Sequence, residues 1–135
     1  MISKKLIEKL NDLKTEGVVG IKQSFEDEGV IHDDLVTMRR ITDICSLPLY
    51  VKIGGCEAKT DLNTCLGLGI DCVIAPMVET PFAMSKFIGM NNESVDMMFV
   101  CETITTYKNL TSMFSEDNIK YLDGMVFGRS DFVKS

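Results

Sequence analysis

Met97-Met98-Phe99-Val100-Cys101 is a run of five apolar residues followed at once by a carboxylate, Glu102, and then Thr103. A strand with one wet face would alternate polar and apolar residues. An unbroken run of this length predicts a strand buried on both faces, as in a parallel sheet covered by helices. Outward from it, strand and helix patterns alternate along the whole chain. Val18–Lys22, Leu49–Ile53, Cys72–Ala75 and Leu122–Phe127 read as the other strands. Met1–Lys14 reads as an amphipathic helix with Leu6, Ile7, Leu10 and Leu13 on one face, stopped by Gly17. Asp33 or Asp34 is placed to cap a helix carrying Leu35, Met38, Ile41 and Ile44. Further helices are expected over about Glu57–Leu66, from Thr80-Pro81 with Thr80 as cap, and over Tyr107–Phe114. The result is five β/α units, repeating at about 25–30 residues, which predicts an α/β fold with a parallel sheet in a single domain over 1–135.

The composition agrees. Apolar residues make up 45% and charged residues 25% of 135 residues, a folded-domain balance. A net charge of −6 argues against duplex nucleic acid as a partner. No apolar run reaches the ~18 residues of a membrane span, and the N-terminal residues lack a signal-peptide pattern. The five cysteines contain no C-x-x-C pair and read as reduced, half-buried thiols of a cytoplasmic protein. The chain ends at Lys134-Ser135 with no helix expected over the fifth strand. The expectation is a chain cut in mid-fold, with an adhesive edge that suits a homo-oligomer.

Ligands of parallel α/β folds bind beyond the C-terminal strand ends. Those positions carry Lys22–Gly29, Lys52 with Gly54-Gly55, Pro76–Thr80, Glu102-Thr103, and the expected loop Gly128-Arg129-Ser130-Asp131. Glu102 and Asp131 are the best pair of oxygen ligands for Mg²⁺ or Mn²⁺, cations that keep water or substrate oxygens in their remaining positions. Lys52 has two chemical readings: a cation that stabilises an enolate or a carboxylate, or an amine that forms a Schiff base. An ion pair with Glu26 or Glu28 is compatible with either. His32, the single histidine, is a candidate general base. Gly54 and Gly128 allow backbone amides to approach an anion. Neither segment matches a nucleotide-binding glycine motif.

Four blocks, Val51-Lys52-Ile53-Gly54-Gly55, Ala75-Pro76-Met77-Val78-Glu79-Thr80, Cys101-Glu102-Thr103 and Asp123–Phe132, occur in an order that resembles the HpcH/HpaI aldolase and citrate lyase β-subunit family. The resemblance spans about residues 18–135. It implies part of a (β/α)8 TIM barrel, about five of its eight β/α units, the full barrel being about 250 residues. It also implies a metal-dependent carbon–carbon lyase or aldolase, acting through an enolate on a small-molecule 2-oxo acid such as pyruvate, or on a CoA thioester. Glu102 and Asp131 then match the metal carboxylates. The backbone amides of Gly128, Arg129, Ser130 and Asp131 then match the substrate-carboxylate site, and Ser24–Asp27, with Glu26, matches the segment near the catalytic base. Three features depart from the pattern: Lys52 stands where the family usually has Arg, Arg129 where it often has Pro, and no histidine aligns in the acidic segment, His32 lying four residues after Glu28. The competing expectation is a catalytically incomplete barrel that serves as an assembly or interaction domain.

Overall fold

A computed structural model describes residues 3–135. Its order is α1 (Lys4–Thr15), β1 (Ile21–Ser24), α2 (His32–Cys45), β2 (Leu49–Lys52), α3 (Lys59–Gly67), β3 (Cys72–Ala75), α4 (Pro81–Ile88), β4 (Asp96–Cys101), α5 (Ile104–Met113), α6 (Glu116–Ile119), β5 (Gly124–Phe127) and α7 (Arg129–Phe132). The strands form one sheet in the order β1-β2-β3-β4-β5, every neighbouring pair parallel. Each strand thus lies beside its predecessor in sequence. Five consecutive parallel strands in this order are an arc of a (β/α)8 barrel, as expected.

Alternation along each strand separates two apolar layers. Leu49, Val51, Val73, Ala75, Met97 and Phe99 point outward and pack with Leu35, Leu62, Met84, Phe87 and Met113 from the helices. Cys72, Ile74 and Val100 point to the concave side, with Tyr50, Met98 and Val126 against them. A third cluster of Leu10, Ile41, Cys45 and Leu47 fastens α1 to α2. Phe87 and Phe99 are almost wholly buried. All five cysteines are free, but four are buried rather than half-buried, and only Cys56 is partly exposed. Burial, and then nearby Asp61, pushes the Cys65 thiol up to about 12; burial and Asp96 do the same for Cys72.

Several boundaries differ from the sequence reading, each for a local reason. The expected start of α1 at Met1-Ile2 lies outside the described residues. β1 begins at Ile21, not Val18, because the Val18 N–H still bonds to Leu13 O at the end of α1 (3.1 Å) and Val19 is 79% exposed. Neither Asp33 nor Asp34 caps α2. Ile31 holds that position, and Asp34, inside the first turn, accepts its N–H (3.0 Å). α5 begins three residues early, since Thr103 accepts the Thr106 N–H and starts the helix. The stretch after β5 is not a plain loop: Arg129–Phe132 forms one helical turn.

The N-terminal strand ends are pinned by aspartates. Asp71, just before β3, accepts the Leu49 N–H (2.8 Å) and the Arg39 guanidinium (2.6 Å). Asp123, just before β5, accepts the Met97 N–H (2.8 Å). Burial works to raise the pKa of Asp71, but the Leu49 N–H and Arg39 together outweigh it and hold the carboxyl below its ordinary value. A folded pKa below the unfolded one adds stability above the ordinary carboxylate range of about 4, and that stability is lost as pH falls through the folded value. Asp71→Asn is therefore expected to lower Tm at neutral pH, with the gap to wild type closing as pH falls below the ordinary carboxylate range. Thermal melts across pH check this; a gap that persists unchanged in acid contradicts it.

Candidate active site

The C-terminal strand ends converge on a cleft of about 430 Å³ whose lining includes Glu26, Asp27, Lys52, Gly54, Glu102 and Asp131. Period-two alternation brings them together. Lys52 falls on the concave face two residues after Tyr50, and Glu102 two residues after Val100. Lys52 is 8% exposed and Glu102 5%, so both heads are held by the fold.

The β1 end closes on β2 through the Phe25 N–H to Lys52 O bond (3.1 Å). The turn beyond it is tied by the Asp27 N–H to Ser24 Oγ (3.4 Å) and carries Asp27 into an ion pair with the Lys52 Nζ. The partner of Lys52 is thus Asp27, not Glu26 or Glu28 as the sequence reading expected. Glu26 instead lies over Gly54: a Cβ there would stand 3.3 Å from Glu26 Oε1 and 3.0 Å from Asp61 Oδ2. The Gly54 N–H is taken by the Asp61 carboxylate (Oδ2, 2.8 Å), so that amide is already spent within the protein and not offered to a substrate anion.

Glu102 Oε1 accepts the Met77 N–H (2.9 Å), and Met77 adopts φ 50°, a left-handed conformation rarely taken by a flexible non-glycine side chain. The loop that imposes this is braced from α5. Thr106 Oγ1 donates to Val78 O (3.0 Å) and Asn109 Nδ2 to Glu79 O (2.7 Å). Pro76-Met77-Val78 was expected as a wall of the mouth, and Pro76 and Met77 line it; sequence reasoning missed the role of the Met77 N–H, and Asp27, Thr106 and Asn109. Asp27 stood in a quoted acidic stretch, but nothing local marks a polar residue on a helix as the brace of a distant loop.

Gly128 donates its N–H to Cys101 O (2.9 Å), and a Cβ added to it would meet Glu102 Cβ at 2.9 Å and Val100 Cγ1 at 3.3 Å. Gly128→Ala is therefore expected to displace Glu102 and destabilise the chain by about 1–3 kcal/mol. A denaturant melt measures the cost, and unchanged stability would show that the strand end yields freely.

The remaining sequence candidates fall outside the lining of the cleft. His32 is the first residue of α2, its side chain 62% exposed and 3.6 Å from Asp33. Arg129 and Ser130 are exposed on α7, with Gly128 as its N-cap; of that segment Asp131 alone reaches the cleft. Among the described residues, no group of three or more His, Cys, Asp or Glu side chains converges to hold a metal ion unaided. Also among them, no helix is long and apolar enough to cross a membrane.

Fold and cleft together define a class: an arc of a (β/α)8 barrel with a carboxylate-rich mouth at the C-terminal strand ends. No family model matches the chain, and no curated protein matches it by sequence. Among solved structures it is similar to citrate synthase SbnG, with a TM-score of 0.79 and 12% identity over 96% of this chain and 59% of that one. It is likewise similar to an HpcH/HpaI aldolase/citrate lyase family protein from Burkholderia cenocepacia J2315, with a TM-score of 0.75 and 14% identity over 99% of this chain and 64% of the other. The chain therefore spans less than two thirds of the length of either structure. The fold is that of aldolase and lyase barrels, and one of these neighbours comes from the family whose motifs the sequence resembles.

Proposed function

We propose that this chain belongs to the HpcH/HpaI aldolase and citrate lyase β-subunit family and carries the principal site residues of a divalent-metal-dependent carbon–carbon lyase or aldolase, acting on a 2-oxo acid or a CoA thioester through an enolate. The observation that supports it most is the meeting, in one cleft, of Lys52, Glu26, Glu102 and Asp131.

The donor set fits Mg²⁺ or Mn²⁺. Glu102 and Asp131 supply hard oxygens, and Glu102 spends only Oε1 on a protein donor. Two carboxylates would hold such an ion and leave its other positions to water and substrate. When bound, such an ion supplies Lewis-acid polarisation of a substrate carbonyl. The chain's own groups do the rest. Met77 N–H orients the Glu102 carboxylate. Lys52 sets a fixed positive charge beside the cleft, where negative charge on an enolate oxygen is stabilised as the C–C bond breaks or forms. Glu26, at the rim, is within the cleft to take or return the proton at the substrate carbon. His32 has no part in this scheme.

The test is exchange of pyruvate methyl protons into D₂O, followed by NMR with and without Mg²⁺. Exchange that requires both protein and metal supports the reading; none above the protein-free rate contradicts it. A second reading is favoured by Met125 and Phe127, which are 46% and 50% exposed on β5. An arc with such an edge suits an assembly domain, including a homo-oligomer. Concentration-dependent association without exchange would support that alternative.

A further inference from the structure

We propose that Asp27 is a positioning residue that holds Lys52 as a fixed cation and suppresses its use as an amine nucleophile. This rests on the reading above that the cleft is the reaction site.

Lys52 is the last residue of β2, nearly buried, with its stem among the strand ends. An amine there, close to a 2-oxo acid, is the arrangement a Schiff-base enzyme uses. What distinguishes this site is the contact with Asp27 Oδ2. That carboxylate engages the Lys52 Nζ, the atom a nucleophile would need free. The other ionisable groups lining the same cleft are three carboxylates, Glu26 from the β1 turn, Glu102 beyond β4 and Asp131 from α7, and the Cys56 thiol. Among the described residues, no second cation lines the cleft. The pairing also has a direction. The Asp27 side chain is 61% exposed while that of Lys52 is 9% exposed, so the acid anchors from the rim and the cation stays inside. The Ser24 hydroxyl takes the Asp27 N–H and fixes the turn that presents the acid. Lysine at this position can thus work as a stationary charge without becoming an imine.

Reductive methylation with formaldehyde and cyanoborohydride tests this without metal or substrate. The free amine adds to the aldehyde carbon, water leaves, and cyanoborohydride delivers hydride to the C=N carbon, leaving N-methyl-lysine. Peptide mass mapping follows Lys52 against the other lysines of the same chain. Lys52 is expected to lag in wild type, to react about tenfold faster in Asp27→Asn, a near-isosteric change that leaves access alike, and to lag again in Asp27→Glu. Asp27→Ser serves as a second neutral variant. An unchanged Lys52 rate in the folded neutral variants overturns the proposal, as does wild-type Lys52 reacting as fast as the exposed lysines. Because the probe needs no lyase activity, failure of the proton-exchange assay with a slow wild-type Lys52 would remove the function and leave the pairing intact.

Discussion

Replacing Glu102 by Gln is expected to reduce metal-dependent exchange of pyruvate methyl protons by at least about a hundredfold, because several kcal/mol of charge stabilisation leave with the carboxylate. The variant keeps the shape of the side chain, and its amide oxygen can still accept the Met77 N–H that Glu102 Oε1 accepts at 2.9 Å. What it loses is charge. Titration with Mn²⁺, followed by the electron paramagnetic resonance of the free ion, is expected to show weakened binding, while the melting temperature stays near that of wild type. Retained exchange with retained Mn²⁺ affinity would remove Glu102 from the metal site. Lost stability would instead mark it as a structural brace for the 76–80 loop. At 5% exposure the two outcomes are well separated, since a purely structural carboxylate and a ligand respond differently to an isosteric neutral amide.

The second large effect is expected at Lys52. Lys52→Met keeps an unbranched apolar stem of similar reach and deletes the cation. Exchange is expected to fall about 100-fold or more, in line with the removal of one preorganised, nearly buried charge. Lys52→Arg is expected to recover only part of the loss, because a planar two-pronged donor does not reproduce a point charge set against Asp27. Steady-state exchange rates for the three proteins check this order. If Lys52→Met exchanged as fast as wild type, the cation would have no role in the chemistry. Stability is a weak discriminator here: Asp27, the partner left behind, is largely exposed and regains water when the pair is broken.

The two substitutions probe residues of different legibility. Glu102 stood out because a carboxylate directly follows an apolar strand, where no helix cap or solvated turn accounts for it. Lys52 stood out as the one lysine near the end of an otherwise apolar strand, Leu49–Ile53. Both signals are local, and period-two alternation carries them correctly to the concave face. Asp131 was read from its place beyond the fifth strand, with the motif resemblance agreeing, and does line the cleft, but from a helical turn and not the loop expected there. Arg129 and Ser130, its neighbours in the same motif, do not. One turn of helix spreads its residues around an axis, so adjacent positions cannot share a direction. His32 was chosen for its chemistry alone, and its position at the start of α2, beyond the turn, leaves it on the surface.

From the order of its residues, then, the chain's alternation of strand and helix, its parallel sheet and two of its charged strand ends could be read. These follow from local propensity and periodicity, which act over a few residues. The partner of Lys52, the brace of Thr106 and Asn109 on the 76–80 loop, and the close approach of Gly128 to Glu102 were decided in three dimensions. Each joins segments about 25–30 residues apart. Such contacts depend on strand register and on the path of each turn. Those are set when whole β/α units pack against one another, and no short stretch of sequence contains them.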